Sequence, residues 1–158
     1  MKALVLELAK KLKSRGWKLA TVESCTGGGL AYGLTSVAGS SDWFERGFIT
    51  YSNLSKQKMV GVRPVTLASF GAVSVETARE MAEGAQRASH TQLCVAITGI
   101  AGPGGGTEDK PVGMVCFAWT VSPHRTVTKT EYLSGTRTKI RKSAINIALE
   151  GLLQILAD

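Results

Sequence analysis

Three polar stretches in this sequence could carry chemistry, and each follows a run of apolar residues. The first is Glu23-Ser24-Cys25-Thr26-Gly27-Gly28. The second is Tyr51-Ser52-Asn53-Leu54-Ser55-Lys56, and the third is Thr98-Gly99-Ile100-Ala101-Gly102-Pro103-Gly104-Gly105-Gly106. A serine hydroxyl attacks poorly until a base takes its proton, and lysine is that base in one variant of the serine triad. The lysine must be neutral to act, so burial has to bring its pKa from about 10.4 toward about 7–8. Ser24 and Lys56 form such a candidate pair, with Tyr51 close by if the two strand ends lie side by side. Taken singly, Lys56 reads as a solvated surface lysine, and only its placement can make it a base.

The glycines suggest where charge could be held. Thr26-Gly27-Gly28 opens a helix, where free amides and the positive end of the dipole suit a phosphate. The stretch is neither a Walker loop nor GxGxxG, and a plain strand-to-helix turn would need the same glycines. Amides near Thr98-Gly99 could form an oxyanion hole, or the loop could touch a ribose phosphate. By Gly106 the same loop reads as ordinary surface. Arg137, after Ser134-Gly135, could hold a phosphate or carboxylate with both prongs of its guanidinium, and is equally at home as a surface residue.

The elements that must position these residues follow from periodicity. Val5, Leu8, Ala9 and Leu12 recur at helical spacing, predicting a helix over 2–14 that Gly16 ends. Leu19–Glu23 reads as a short buried strand, and Leu30, Leu34 and Val37 resume helical spacing after the glycine turn. Gly39-Ser40-Ser41-Asp42 reads as a turn and helix cap, and 47–51 as a second strand. Residues 54–60 fit a helix that Arg63-Pro64 breaks. Ser74 suits an N-cap, with Glu76 in the first turn of the helix behind it. Leu93–Thr98 is a continuous apolar strand. Met114–Val121 and Thr126–Tyr132 pair as a hairpin around Pro123. A last helix spans 138–156, with Ile140, Ala144, Ile147, Gly151 and Ile155 inward. This order predicts a single α/β domain over 1–158: a three-layer α/β/α sandwich around a mixed, mostly parallel sheet of about five strands. Ligands of such sheets bind at the carboxyl ends of the strands, where all three polar stretches would lie.

Composition narrows the function classes. The chain has 158 residues, 44% hydrophobic and 20% charged, enough for a core without disulfides. The formal charge of +7 would suit a nucleic-acid protein or an enzyme drawing in phosphorylated metabolites. Aromatics total only 6%, and no basic run is interleaved with them, so a base-stacking surface is not evident. Lys10, Lys11, Lys13, Arg15 and Lys18 read as solvated helix faces. Cys25, Cys94 and Cys116 form no CxxC pair, and their odd number suggests a reducing compartment. His90 at a helix end and His124 in the hairpin turn are isolated, which argues against a metal site. Trp17, Trp43 and Trp119 read as packing residues. The start is not a signal peptide, and no run is long enough to span a bilayer, so a cytoplasmic location is expected.

Several motifs together carry a resemblance. ESCTGG, AGSSDWFERGFITYSN, the lysine of LSK, GAVS, TGIAGPGGG and KPVGMV stand in an order and spacing that resemble the CinA C-terminal domain family over residues 5 to 155. Stand-alone members of that family include nicotinamide mononucleotide deamidases. The resemblance implies a three-layer α/β/α fold and hydrolysis of nicotinamide mononucleotide to nicotinate mononucleotide and ammonia. It implies no metal or organic cofactor, a free-standing form without the larger molybdopterin-binding-like domain, and a homodimer. It maps Ser24 to the serine of ESxTGG, Tyr51, Asn53 and Lys56 to YSNxxK, and Thr98, Gly99 and Gly102 to [ST]GIAGP. Arg137 maps to an arginine at the start of the last helix. Two positions depart from the pattern: Thr98 stands where many relatives have Ser, and Thr136 where relatives often have Asp.

The expected mechanism places the nucleotide phosphate on Thr26-Gly27-Gly28. Ser24 attacks the carboxamide with Lys56 as base, amides near Thr98-Gly99 hold the oxyanion, and Tyr51 helps to protonate the leaving ammonia. Ser41 is the rival nucleophile, expected at the opposite end of the sheet because it follows a helix that runs back from the site. A non-catalytic nucleotide-binding module, a basic nucleic-acid-associated protein and hydrolysis of a different amide remain alternatives.

Overall fold

The computed structural model describes residues 1–123 and 125–157, so the expectation for His124 lies outside the described residues. The chain runs α1 (Lys2–Arg15), β1 (Leu19–Glu23), α2 (Gly29–Thr35), a 3-10 turn (Ser40–Asp42), β2 (Phe44–Ile49), α3 (Asn53–Val60), α4 (Pro64–Phe70), α5 (Val75–Ser89), β3 (Leu93–Gly99), β4 (Met114–Val121), β5 (Arg125–Tyr132) and α6 (Arg137–Ile155). The five strands form one sheet in the order β2-β1-β3-β4-β5. β1 pairs in parallel with both β2 and β3. β4 runs antiparallel to β3 and to β5, so four of the five strands point the same way.

The sheet separates two apolar layers. On one face α1, α2 and α6 bring Leu8, Leu12, Leu34, Ile140, Ala144 and Leu149 onto Leu19, Val95, Ile97 and Phe117. The other face is built from smaller residues: Ala20, Val22, Cys94, Ala96 and Ala118 meet Ala78, Met81, Ala82 and Ala85 of α5. Small side chains on both partners let α5 lie close. α5 also meets α3 closely at Gly84, where a Cβ would stand 1.8 Å from the Val60 carbonyl oxygen. Cys94 and Cys116 are buried in this core. Trp43 and Trp119 are buried as well, with Trp119 stacked on Phe117 at 5.5 Å and donating to the Ala148 carbonyl.

Three local differences from the expectation have physical reasons. β2 begins at Phe44 rather than Gly47, because pairing with Leu19 extends it. Pro64 does not only end the preceding helix: it starts α4 at the first helical position, where its missing N–H costs nothing. On α6 the inward face includes Ile145, Ala148, Leu149 and Leu152, while Ile147 is only partly buried. Ser74 caps α5 as expected, accepting from the Thr77 amide at 3.1 Å. His90 sits just past α5 with φ 54, a left-handed cap.

Candidate active site

The register puts the functional stretches at one edge. Glu23 lies level with Ile49 of β2 and Ile97 of β3, so the three chains leave the sheet together at its carboxyl edge. Ser24 follows β1, Tyr51 and Lys56 follow β2, and Gly99 ends β3 with Ile100, Ala101, Gly102, Gly104 and Gly105 in the loop behind it. They line one cleft of about 270 Å³. Ser41 lies in the turn before Phe44, which pairs with Leu19 at the start of β1; it is therefore at the opposite edge, as its topology predicts.

Lys56 reaches the serine because of how α3 begins. The Ser52 hydroxyl accepts from the Ser55 amide at 3.0 Å, and the Ser55 hydroxyl accepts from the Ser52 amide at 3.0 Å, a reciprocal cap. This fixes the first turn of α3 and sends Lys56 inward. Its side chain is 1% exposed. Nζ lies 3.1 Å from Ser24 Oγ and donates to the Thr50 carbonyl at 2.8 Å. Burial lowers the Lys56 pKa from its ordinary value of 10.5, because the charged form loses its hydration; Cys25 opposes this more weakly. Cys25 is itself pushed up to about 11 by burial, so at neutral pH it is an uncharged thiol and a poor nucleophile. A neutral lysine amine has a lone pair for the Ser24 proton while an N–H stays on Thr50.

The other walls are positioned by polar contacts. Arg137 Nη1 donates to the Gly102 carbonyl at 2.7 Å, and Nη2 to the Tyr51 hydroxyl at 3.1 Å, so one guanidinium ties the glycine loop to the tyrosine. Tyr51 is 60% exposed and stands at the mouth of the cleft, with Asn53 beside it at the start of α3. Thr136 caps α6 by accepting from the Lys139 amide at 3.3 Å, which keeps a capping oxygen where relatives often carry Asp. The Thr98 hydroxyl donates to the Ala72 carbonyl at 2.8 Å and so holds a segment of the wall, Ala72-Val73, that belongs to the GAVS motif. Gly99 pairs with Val115, while Ile100 donates to Met114 on the same antiparallel ladder. Strand alternation therefore turns the Gly99 amide toward β1. The last rung there is Ser24 to Ile97 at 2.9 Å, so the Gly99 amide stands beyond it, beside Ser24. A Cβ at Gly99 would come within 2.8 Å of Val115.

The Thr26-Gly27-Gly28 turn, where a phosphate is expected, already engages an internal anion. The Glu23 carboxylate, 1% exposed, accepts from the Thr26 hydroxyl at 2.7 Å and from the Leu30 and Ala31 amides at 2.9 and 3.0 Å. The Gly27 amide turns back onto the Ser24 carbonyl at 3.0 Å. These three residues shape the turn behind Ser24 and do not line the cleft. The signal for Glu23 was present in the sequence: a helix opening on glycines has no side-chain cap of its own and needs an acceptor from elsewhere. Arg141, which donates to the Cys25 and Thr26 carbonyls, also escaped the sequence reading.

A wider cleft of about 340 Å³ lies between β5 and α6 over Trp119, where Lys129 and Glu131 pair with each other at 2.6 Å. Among the described residues no group of three or more His, Cys, Asp or Glu converges to hold a metal ion, and no helix is long and apolar enough to cross a membrane.

The chain is similar to known proteins over nearly its whole length. The family model described as CinA C-terminal domain matches residues 1–156. The chain is 49% identical over 148 residues to the nicotinamide-nucleotide amidohydrolase PncC of Escherichia coli K12, covering 94% of this chain and 90% of that one. It is 48% identical over 151 residues to a CinA-like protein of Syntrophobacter fumaroxidans, covering 96% of this chain but 35% of that longer protein. Among solved structures, a competence/damage inducible protein from Agrobacterium tumefaciens superposes with a TM-score of 0.95 at 42% identity, over 99% of this chain and 95% of that one.

Proposed function

This chain belongs to the CinA C-terminal domain family, and on that premise we infer that it hydrolyses the carboxamide of nicotinamide mononucleotide to nicotinate mononucleotide and ammonia. The observation that carries the reading is the buried Lys56 amine 3.1 Å from the Ser24 hydroxyl in a cleft at the carboxyl edge of the sheet. The names carried by relatives at 49%, 42% and 43% identity support the substrate.

Ser24 Oγ attacks the carboxamide carbon as its proton passes to Lys56 Nζ. The carbonyl oxygen becomes an oxyanion, held by the Gly99 amide at the free end of β3. The tetrahedral centre collapses, the C–N bond breaks, and the nitrogen leaves as ammonia with the proton that Lys56 gives up, directly or relayed through Tyr51. The resulting ester on Ser24 is attacked by water, whose proton returns to Lys56. Collapse then releases nicotinate mononucleotide and reprotonates Ser24. Asn53, Gly102 and Arg137 face the cleft and bind the nucleotide, with Arg137 the one cation suited to its phosphate. Neither a metal nor an organic cofactor enters these steps. The protein works in the cytoplasm as one domain over 1–158, as a homodimer, and without nucleic acid.

Turnover is expected to rise with pH along a single acid limb that lies below 10.5, because only neutral Lys56 accepts the serine proton. A pH–rate profile of nicotinamide mononucleotide hydrolysis checks this. A rate independent of pH on the acid side would rule out Lys56 as the base, and tight binding without turnover would favour a non-catalytic nucleotide-binding module.

A further inference from the structure

Arg141 follows Arg137 by four residues, so both leave the same face of α6. Their tasks differ. Arg137 is exposed and meets the cleft through Tyr51 and Gly102. Arg141 is half-buried behind the nucleophile turn and lines no part of the cleft. Its Nε donates to the Cys25 carbonyl at 3.0 Å and its Nη2 to the Thr26 carbonyl at 3.1 Å. One planar fork thus grips the carbonyls of the two residues that follow Ser24. Gly27, with φ +58, lies under the same guanidinium: a Cβ there would stand 3.5 Å from Nη2. From the other side, the Glu23 carboxylate holds the Thr26 hydroxyl and the first amides of α2.

We propose that Arg141 is a positioning residue for the reaction. By fixing the Cys25 and Thr26 carbonyls, it sets the backbone that carries Ser24 and so aligns Oγ on Lys56 Nζ. The proposal rests on the reading of Ser24 as nucleophile. Its physical basis is that a charge-assisted fork across two carbonyls fixes orientation as well as distance, which a lysine cannot reproduce. A misplacement of about 1 Å at a reacting atom can cost on the order of 10²-fold in rate.

The test compares Arg141→Met, Arg141→Lys and Arg141→Ala with wild type. Arg141→Met is expected to lower kcat by roughly 10- to 100-fold while KM stays within about threefold, because the substrate-facing groups are untouched. Arg141→Lys should fall between the two. Methylguanidine added to Arg141→Ala should recover part of kcat, whereas methylamine should not. Amide hydrogen exchange should speed up over Cys25–Gly28 in Arg141→Met while β3 and α5 stay protected. A kcat within twofold of wild type overturns the proposal, as does the absence of guanidine rescue in a folded Arg141→Ala. If wild type itself leaves nicotinamide mononucleotide intact, the catalytic reading fails separately. Exchange over Cys25–Gly28 then still decides the clamp, and unchanged protection overturns it.

Discussion

Lys56→Met is expected to lower amide hydrolysis by more than about 10³-fold while leaving the fold in place, and Ser24→Ala is expected to do the same. The two losses should be similar in size and should not multiply in the double variant, because nucleophile and base act as one unit. Methionine keeps the apolar stem of Lys56 but removes the amine that sits 3.1 Å from Ser24 Oγ. The stability of Lys56→Met is informative as well. A lysine 1% exposed carries a desolvation cost that methionine does not, so the variant should melt at or above the wild-type temperature. The sign of the pH dependence follows. The unfolded chain keeps the Lys56 proton up to 10.5, whereas the folded chain releases it at lower pH. Between those two values the unfolded state binds more protons, so stability rises with pH in that window. Lys56→Met should lose that rise. Steady-state kinetics and thermal melts on the same preparations check both parts, and a Lys56→Met enzyme with near-normal kcat would remove lysine from the mechanism.

Glu23→Ala is expected to lose both stability and activity. The carboxylate serves two helix amides and one hydroxyl, and Gly28 at the head of α2 offers no side-chain replacement. Each buried donor left without an acceptor costs about 1–3 kcal/mol, so the three together should cost at least about 3 kcal/mol, a fall in Tm of at least roughly 6 °C for a chain of this size. Glu23→Gln should be intermediate. One amide oxygen can still accept, but the NH₂ group now faces donors. Because the same turn carries Ser24, kcat should fall by roughly 10²-fold in the alanine variant. Calorimetry with parallel rate measurement tests this. A Glu23→Gln protein that melts and turns over like wild type would show that the helix finds its cap elsewhere.

Much of the architecture was legible because local patterns agreed with the global fold. Leu19–Glu23 is buried on both faces, followed at once by glycines and helical spacing, and such a run has few places to go other than an inner parallel strand. The meeting of Ser24 with Tyr51 and Lys56 followed from two parallel strands ending level. What the sequence could not show was depth. A lysine in the first turn of a helix is normally solvated, and only the reciprocal Ser52–Ser55 cap and the packing of α3 turn Lys56 inward. Pro64 was read as a breaker because the residue before proline avoids the helical region; at the first helical position the same property starts α4.

The turn where a phosphate is expected already holds an anion. A free helix N-terminus and a glycine turn do attract anions, but the sequence also supplies one, Glu23, three residues before Thr26. Arg137 meets the same cleft from α6, where it donates to the Gly102 carbonyl. Arg141 was invisible for a different reason: its partners lie 116 and 115 residues away in the chain, and no local pattern marks a contact between a helix side chain and two backbone carbonyls. The resemblance to a known family reached the substrate class, which composition and periodicity do not encode.

The most direct test of the central claim is product analysis with nicotinamide mononucleotide and purified protein in the presence of a chelator, wild type beside Ser24→Ala. Wild type is expected to release ammonia and nicotinate mononucleotide in equal amounts, and Ser24→Ala neither. Equal release by both proteins would remove Ser24 from the chemistry, and release by neither would contradict the assignment of this cleft as an amidohydrolase site.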